Sequence, residues 1–197
     1  MDLGLDGAVV LITGGVRGVG AGITRTFLRA GATVVTCART RPEHNVEIDG
    51  KAAEFLECDV RDPDRVRELV DTIVARHGTL DVLVNNAGGS PYALAADASP
   101  KFHAKIVELN LLAPLIVAQA ANAVMQQQDG GGSIVNISSV SAHRPTPGTA
   151  AYGAAKAGLD SLSSTLGVEW APKVRVNSVV VGMVHTEQSH LFYGDED

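Results

Sequence analysis

Short runs of apolar, β-branched residues alternate along this chain with longer stretches in which apolar positions recur every three or four residues. Residues 8–12 form one such run, closed by Thr13-Gly14-Gly15, and helical spacing then holds from 19 to 30 before Gly31 stops it. This pattern predicts a strand, a tight turn and a helix. Residues 33–37 and 53–58 read as the next two strands, and Asp62-Pro63 opens a helix that runs to about His77, with Gly78 as its stop. A strand at 82–84 precedes one long helical stretch from 100 to 125, which ends at Asp129 and three glycines. A strand at 133–137, a helix at 151–170 and a last β-branched run at 174–181 complete the series. Residues 40–43 and 146–148 read as loops joining elements of one sheet.

Strands apolar on both faces and alternating with helices call for a parallel sheet covered on each side, because right-handed crossovers put the helices there. The expected architecture is α/β: a doubly wound parallel sheet of the Rossmann type. With 197 residues, of which 45% are hydrophobic, one sizeable core is expected and a single domain over 1–197.

The formal charge of -6 gives no support to a nucleic-acid partner, and Asp195, Glu196 and Asp197 supply half of it. Any anionic ligand must be held by local positive features. Cys37 and Cys58 end two apolar runs that could lie side by side, and the expected state is two buried thiols in a reducing compartment. The first residues carry no basic leader, and no uninterrupted apolar run approaches the roughly 18 residues that span a bilayer. The expectation is a cytoplasmic protein with no membrane partner.

Three constellations carry chemistry. The first is Thr13-Gly14-Gly15-Val16-Arg17-Gly18-Val19-Gly20, between a strand and a helix. Glycines let the backbone turn sharply there and let a pyrophosphate approach main-chain N–H groups at a helix N-terminus, where partial positive charge favours an anion. The spacing is G-x-x-x-G-x-G and no Lys-Ser/Thr follows, which argues against a Walker-type loop; the plain alternative is a glycine turn without a ligand. The second is the end of the second strand, where an NAD site usually places a carboxylate for the ribose 2′-OH and this chain has Ala38. Arg39 beside it and Arg17 in the glycine turn could reach a 2′-phosphate, or be two solvated arginines.

The third is Ser139, then Tyr152 and Lys156 in Tyr152-Gly153-Ala154-Ala155-Lys156. Side chains four apart on a helix share a face, so the ammonium can sit near the phenol. A phenol normally titrates near pH 10, and lowering that by roughly three units requires about 4 kcal/mol of preference for phenolate, which a close ammonium in a partly desolvated site can supply. Tyr152 could then exchange a proton with a carbonyl or hydroxyl oxygen that Ser139 holds in place. Taken alone, the pair would be an ordinary surface pair.

Together with Asn85-Asn86-Ala87-Gly88 and Asn110, these motifs occur in the order and rough spacing of the short-chain dehydrogenase/reductase family, and the chain resembles its single-domain bacterial members, which include 3-oxoacyl-carrier-protein reductases and hydroxysteroid dehydrogenases. The resemblance spans nearly the whole sequence. It implies a nicotinamide dinucleotide held by Gly14, Arg17, Gly18, Val19, Gly20 and Arg39, with Asp59 and Val60 at the adenine and Asn85, Asn86, Ala87 and Gly88 in the turn that lines the adenosine and stabilises the sheet. It further implies Thr186 at the carboxamide, Lys156 on the nicotinamide ribose, and a catalytic set of Asn110, Ser139, Tyr152 and Lys156, in which Asn110 binds a water linking Lys156 to solvent. Ser138 and Ser141 are read as structural. Family members run to roughly 250 residues, about one α/β domain, and their last strand and substrate-covering helices have no counterpart here; a truncated chain with the sixth strand as a bare edge is the expectation.

The function expected is hydride transfer between NADP(H) and a ketone or secondary alcohol. The alternatives are an NAD(H)-linked alcohol dehydrogenase, if Arg39 points away, and a dinucleotide-binding protein without turnover. Ser90, Pro91, Tyr92, His143, Arg144, Met183 and His185 are expected to face the substrate, and no ligand set stands at metal-binding spacing. A homo-oligomer, dimer or tetramer, is a family-level expectation; the small residues Gly158, Ser161, Ser164 and Gly167 would permit close packing of the 151–170 helix within or between subunits.

Overall fold

The computed structural model describes residues 3–186, so the acidic Asp195, Glu196 and Asp197 lie outside the described residues. Strand β1, Val9–Thr13, is buried along its whole length, as a central parallel strand must be. Helix α1 (Gly18–Arg29) follows the glycine turn, then β2 (Thr33–Ala38), a small hairpin of β3 (Glu47–Ile48) and β4 (Lys51–Ala52), and β5 (Glu54–Glu57). Helix α2 (Pro63–His77) starts at Asp62, whose side chain accepts from the N–H groups of Asp64 and Arg65, and stops at Gly78 in the left-handed region. Then come β6 (Val82–Asn85), α3 (Pro100–Val107), α4 (Ala113–Met125), β7 (Gly132–Ser139), α5 (Ala150–Glu169) and β8 (Val174–Val181).

The six long strands form one parallel sheet in the order β5-β2-β1-β6-β7-β8. The strand order reverses between β1 and β6, and the crevice above their C-terminal ends is where such sheets bind ligands. One apolar cluster, including Leu11, Val35, Val66, Ile73, Leu83, Val117 and Met125, fills the side covered by α2 and α4. A second cluster of Val10, Ile12, Leu28, Val34 and Val84 lies under α1. Cys37 and Cys58 are free, buried thiols, and burial pushes the Cys58 thiol up to about 11.

Two details depart from the sequence pattern. The hairpin of β3 and β4 lies between the 40–43 loop and the next long strand, where the pattern predicts no element. The stretch from 100 to 125 is two helices joined by a π turn, Glu108–Leu112, in which the N–H of Ala113 reaches back five residues to the carbonyl of Glu108. Its cause is Pro114, which has no N–H to offer the carbonyl of Asn110 and whose ring crowds that carbonyl in an α-helical register. Although Pro100–Met125 has a mean hydropathy of 1.4 over its most apolar window, Ala113, Pro114, Val117, Ala118, Ala121 and Met125 are buried, as in a core helix. Two glycines of α5 pack within the chain: a Cβ on Gly158 would stand 3.2 Å from Leu111, and one on Gly153 would stand 2.7 Å from the carbonyl oxygen of Ser141, whereas Ser161 and Ser164 are exposed. Among the described residues β8 is a sheet edge, with Val179 and Val180 about half exposed.

Candidate active site

The crevice is built first by the glycine turn. Gly14 adopts φ +64 and a Cβ there would meet Ala87 Cα at 3.0 Å, while a Cβ on Gly20 would stand 2.2 Å from the carbonyl oxygen of Gly14. The turn is thus folded onto itself and onto the 85–88 segment too closely for any side chain. Thr13 locks that contact: its buried Oγ1 accepts from the N–H groups of Asn86 and Ala87, both at 3.0 Å. Asn86 returns two bonds, its Nδ2 donating to the carbonyls of Thr13 at 2.9 Å and Gly14 at 3.1 Å. Asn85 does not line the crevice; it is buried and donates to the carbonyl of Pro114 and to Oδ1 of Asn136, so of the two roles the resemblance implies it keeps the sheet-stabilising one.

Where α2 and α3 have Asp62 and Ser99 as side-chain caps, α1 starts at an extended Arg17 with no side-chain cap and no acidic residue in its first turn. With no carboxylate of its own, this N-terminus suits an anion. Arg17 and Arg39 are both exposed at this end of the sheet, and Arg39 acts electrostatically on Asp59. The carboxylate of Asp59 is held in a two-pronged contact by Arg61, at 2.9 and 2.6 Å, which draws it well below the usual carboxylate range. Arg61 was not legible in the sequence as a site residue. Val60 is buried beside this pair, and Thr186 approaches Gly18, the Thr186 methyl standing 3.8 Å from where a Gly18 Cβ would be.

The second half of the site sits at the C-terminal ends of β6 and β7. Asn110, fully buried in the π turn, accepts from the N–H of Gly89 at 2.9 Å and donates to the carbonyls of Gly89 and Ile106, each at 2.9 Å. Its amide is committed to holding the 88–89 backbone in place. Gly88 lies between Asn110 and Lys156: a Cβ there would stand 2.7 Å from Asn110 Oδ1 and 3.5 Å from Lys156 Nζ.

Lys156, 3% exposed, donates from Nζ to the carbonyl of Ile137 at 2.7 Å, and Nζ lies 5.6 Å from the centroid of the Tyr152 ring. Burial pulls the ammonium down to about 8, against the opposing pull of Asp160. At pH 7 about nine-tenths of it is still charged. Ser139, last residue of β7, accepts from the N–H of Ser141 at 3.2 Å and so caps the 3-10 turn Val140–Ala142 that follows the strand. Ser138 is buried with its hydroxyl turned toward the carbonyl of Lys156, as a structural serine should be.

The fold thus brings the glycine turn, the 85–88 turn, Asn110, Ser139, Tyr152 and Lys156 to one crevice. Among the residues expected to face a substrate, Tyr92 is exposed and rests on Gly148, His143 leans toward Asp160, and Met183 and His185 follow β8 on an exposed stretch. Among the described residues no cluster of His, Cys, Asp and Glu could hold a metal.

The family model for short chain dehydrogenases matches residues 8–196. An uncharacterised oxidoreductase of Mycobacterium tuberculosis is 35% identical over 98% of this chain and 75% of its own length. The 3-oxoacyl-[acyl-carrier-protein] reductase of Thermotoga maritima is 36% identical over 92% of this chain and 76% of its own. Among solved structures, the ligand-free aldohexose dehydrogenase of Thermoplasma acidophilum superposes with a TM-score of 0.88 at 30% identity, covering 98% of this chain and 74% of that one.

Proposed function

This chain belongs to the short chain dehydrogenase family of oxidoreductases, and from that premise we propose that it interconverts a ketone and a secondary alcohol with NADP(H), Tyr152 acting as the general acid and base. The observation that carries this reading is the buried ammonium of Lys156, held by the carbonyl of Ile137 near the end of β7 and set against the Tyr152 ring.

The residues present fit a dinucleotide. The N–H groups of the turn from Gly14 to Gly20 suit its pyrophosphate, and the close approach at Gly14 and Gly20 is the cradle such a group needs. Asp59 and Val60 suit the adenine, Ala87 and Gly88 the adenosine side of the turn, and Thr186 the carboxamide. Ala38 in place of a carboxylate, with Arg17 and Arg39 exposed nearby, favours a 2′-phosphate over a bare 2′-hydroxyl. When bound, the nicotinamide supplies or takes up the hydride.

The chain's own residues do the rest. Ser139 gives its hydroxyl proton as a hydrogen bond to the substrate oxygen and fixes where that oxygen sits. The charge on Lys156 stabilises the phenolate form of Tyr152, so that Tyr152 donates its proton to a carbonyl oxygen or withdraws one from a hydroxyl. Lys156 would also hold the ribose hydroxyls, and Asn110 fixes the 88–89 backbone beside the lysine. A named reductase and a named dehydrogenase among the relatives support a carbonyl and hydroxyl pair as the reacting group.

The test is turnover of NADPH followed by absorbance on a panel of acyl thioesters, aldoses, steroids and small ketones, with Tyr152→Phe alongside wild type and cofactor binding as the control. Tyr152→Phe is expected to bind NADPH normally and to lose turnover by about a hundredfold or more. Equal rates would defeat the mechanism, and tighter binding of NAD(H) than NADP(H) would overturn the cofactor assignment.

A further inference from the structure

Asp160 stands four residues after Lys156, on the same face of α5, and is held from two other elements. Its Oδ1 accepts a short hydrogen bond from Oγ of Ser178 on β8. Its Oδ2 lies 3.0 Å from Nε2 of His143, in the loop that leaves the 3-10 turn Val140–Ala142 directly behind Ser139. The imidazole does not direct an N–H along that line, so among the described residues Oδ2 is a buried carboxylate oxygen with no hydrogen-bond donor. The carboxylate is 19% exposed, and with one oxygen unpaired it keeps much of its field. Lys156 lies one helical turn away and is itself 3% exposed.

We propose that Asp160 is a positioning residue of this site: held by Ser178 of β8 one helical turn from Lys156, its carboxylate is the counter-charge of that ammonium, on which the action of Tyr152 depends. The consequence for turnover rests on the reading given under Proposed function.

The other ionisable groups on the elements packed around α5 do not compete for this role. Strand β7 carries none. The loop after the 3-10 turn carries His143 and Arg144, β8 carries Arg175, α3 carries Lys101, His103 and Lys105, and the π turn carries Glu108. Among the described residues His143 is the one basic side chain within 4.0 Å of the Asp160 carboxylate. On the lysine, burial and Asp160 act in opposite directions, and the balance falls at about 8. Taking the negative charge away leaves burial unopposed, so the ammonium loses its proton at lower pH.

The expected shift for Asp160→Asn is about one unit downward, which at pH 8 cuts the charged fraction of Lys156 about fivefold. Asparagine keeps the size and the acceptor for Ser178, so the helix and strand stay joined. The measurement is the titration of the Lys156 Cε methylene by carbon-13 NMR, its signal identified by its loss in Lys156→Met, in protein without cofactor or substrate. Asp160→Glu is expected to restore most of the shift, and Ser178→Ala, which loosens the carboxylate without discharging it, to lower the midpoint by less than Asp160→Asn. A folded Asp160→Asn protein with the wild-type midpoint overturns the proposal. So does a loss of thermal stability in Asp160→Asn and Ser178→Ala with no movement of the lysine midpoint. Should Asp160→Asn fail to fold, wild-type midpoints in both Asp160→Glu and Ser178→Ala overturn it, and displaced ones support it. Because the titration needs no turnover, it stays separate from the reductase reading: equal rates for Tyr152→Phe would sink that reading and leave the midpoint result standing.

Discussion

Replacing Asn110 by Ala removes a fully buried amide that serves three backbone groups, the N–H and C=O of Gly89 and the C=O of Ile106, each at 2.9 Å. Alanine serves none of them. A buried polar group left without a partner costs about 1–3 kcal/mol. Gly89 is exposed, so water takes over much of what its N–H and C=O lose, and the cost falls mainly on the buried carbonyl of Ile106. The net loss expected is about 1–3 kcal/mol, out of the roughly 5–15 kcal/mol that holds a domain folded. Urea denaturation reads it directly: with a slope of about 2 kcal/mol/M the midpoint falls by about 0.5–1.5 M. Amide exchange localises it, because the Gly89 N–H loses its protection while α2 and β1 keep theirs. A stability loss below about 1 kcal/mol, or a Gly89 amide that stays protected in the variant, refutes this role for Asn110.

The same frame yields three further expectations. Lys156 titrates at about 8 in the fold against 10.5 in an unfolded chain, so the unfolded state binds its proton more tightly and stability rises with pH between those values. The gain from this group is about 2–3 kcal/mol by pH 10; it appears as the difference between wild type and Lys156→Met in denaturation at pH 7 and pH 10, and a constant difference would rule it out. Thr13→Val, which strips the acceptor from the N–H groups of Asn86 and Ala87, is expected to cost about 2–3 kcal/mol, with Thr13→Ser losing under about 1 kcal/mol; equal losses in the two would show that the hydroxyl is not the lock. Gly20→Ala places a methyl 2.2 Å from the carbonyl oxygen of Gly14 and must open the turn, so NADPH binding followed by fluorescence weakens on the order of tenfold or more; unchanged affinity would mean that the turn does not hold the cofactor.

Much of this was written in the chain. Apolar runs closed by glycine, with Asp62-Pro63 and Gly78 bracketing α2, set the order of strands and helices, because burial on both faces and helix capping are local requirements on residue type. The glycine turn, Ser139 and the Tyr152–Lys156 pair were equally legible, since each follows from spacing along one element. The break in the 100–125 helix was legible too, at Pro114, but the strong apolar periodicity on either side of it hid the signal.

What the sequence could not contain is which distant residues meet. That Arg61 takes the carboxylate of Asp59, that Asn85 turns away from the crevice toward Pro114 and Asn136, that Gly88 separates Asn110 from Lys156, and that Asp160 is held by Ser178 with His143 close by all depend on strand order and helix packing. The sequence by itself determined the elements and the chemical kinds of side chain available, because backbone preference and hydrophobic period act over a few residues. Burial of Lys156 and the charge around it were decided by the tertiary structure alone, since desolvation and Coulomb fields are set by neighbours that lie close in space whatever their separation along the chain.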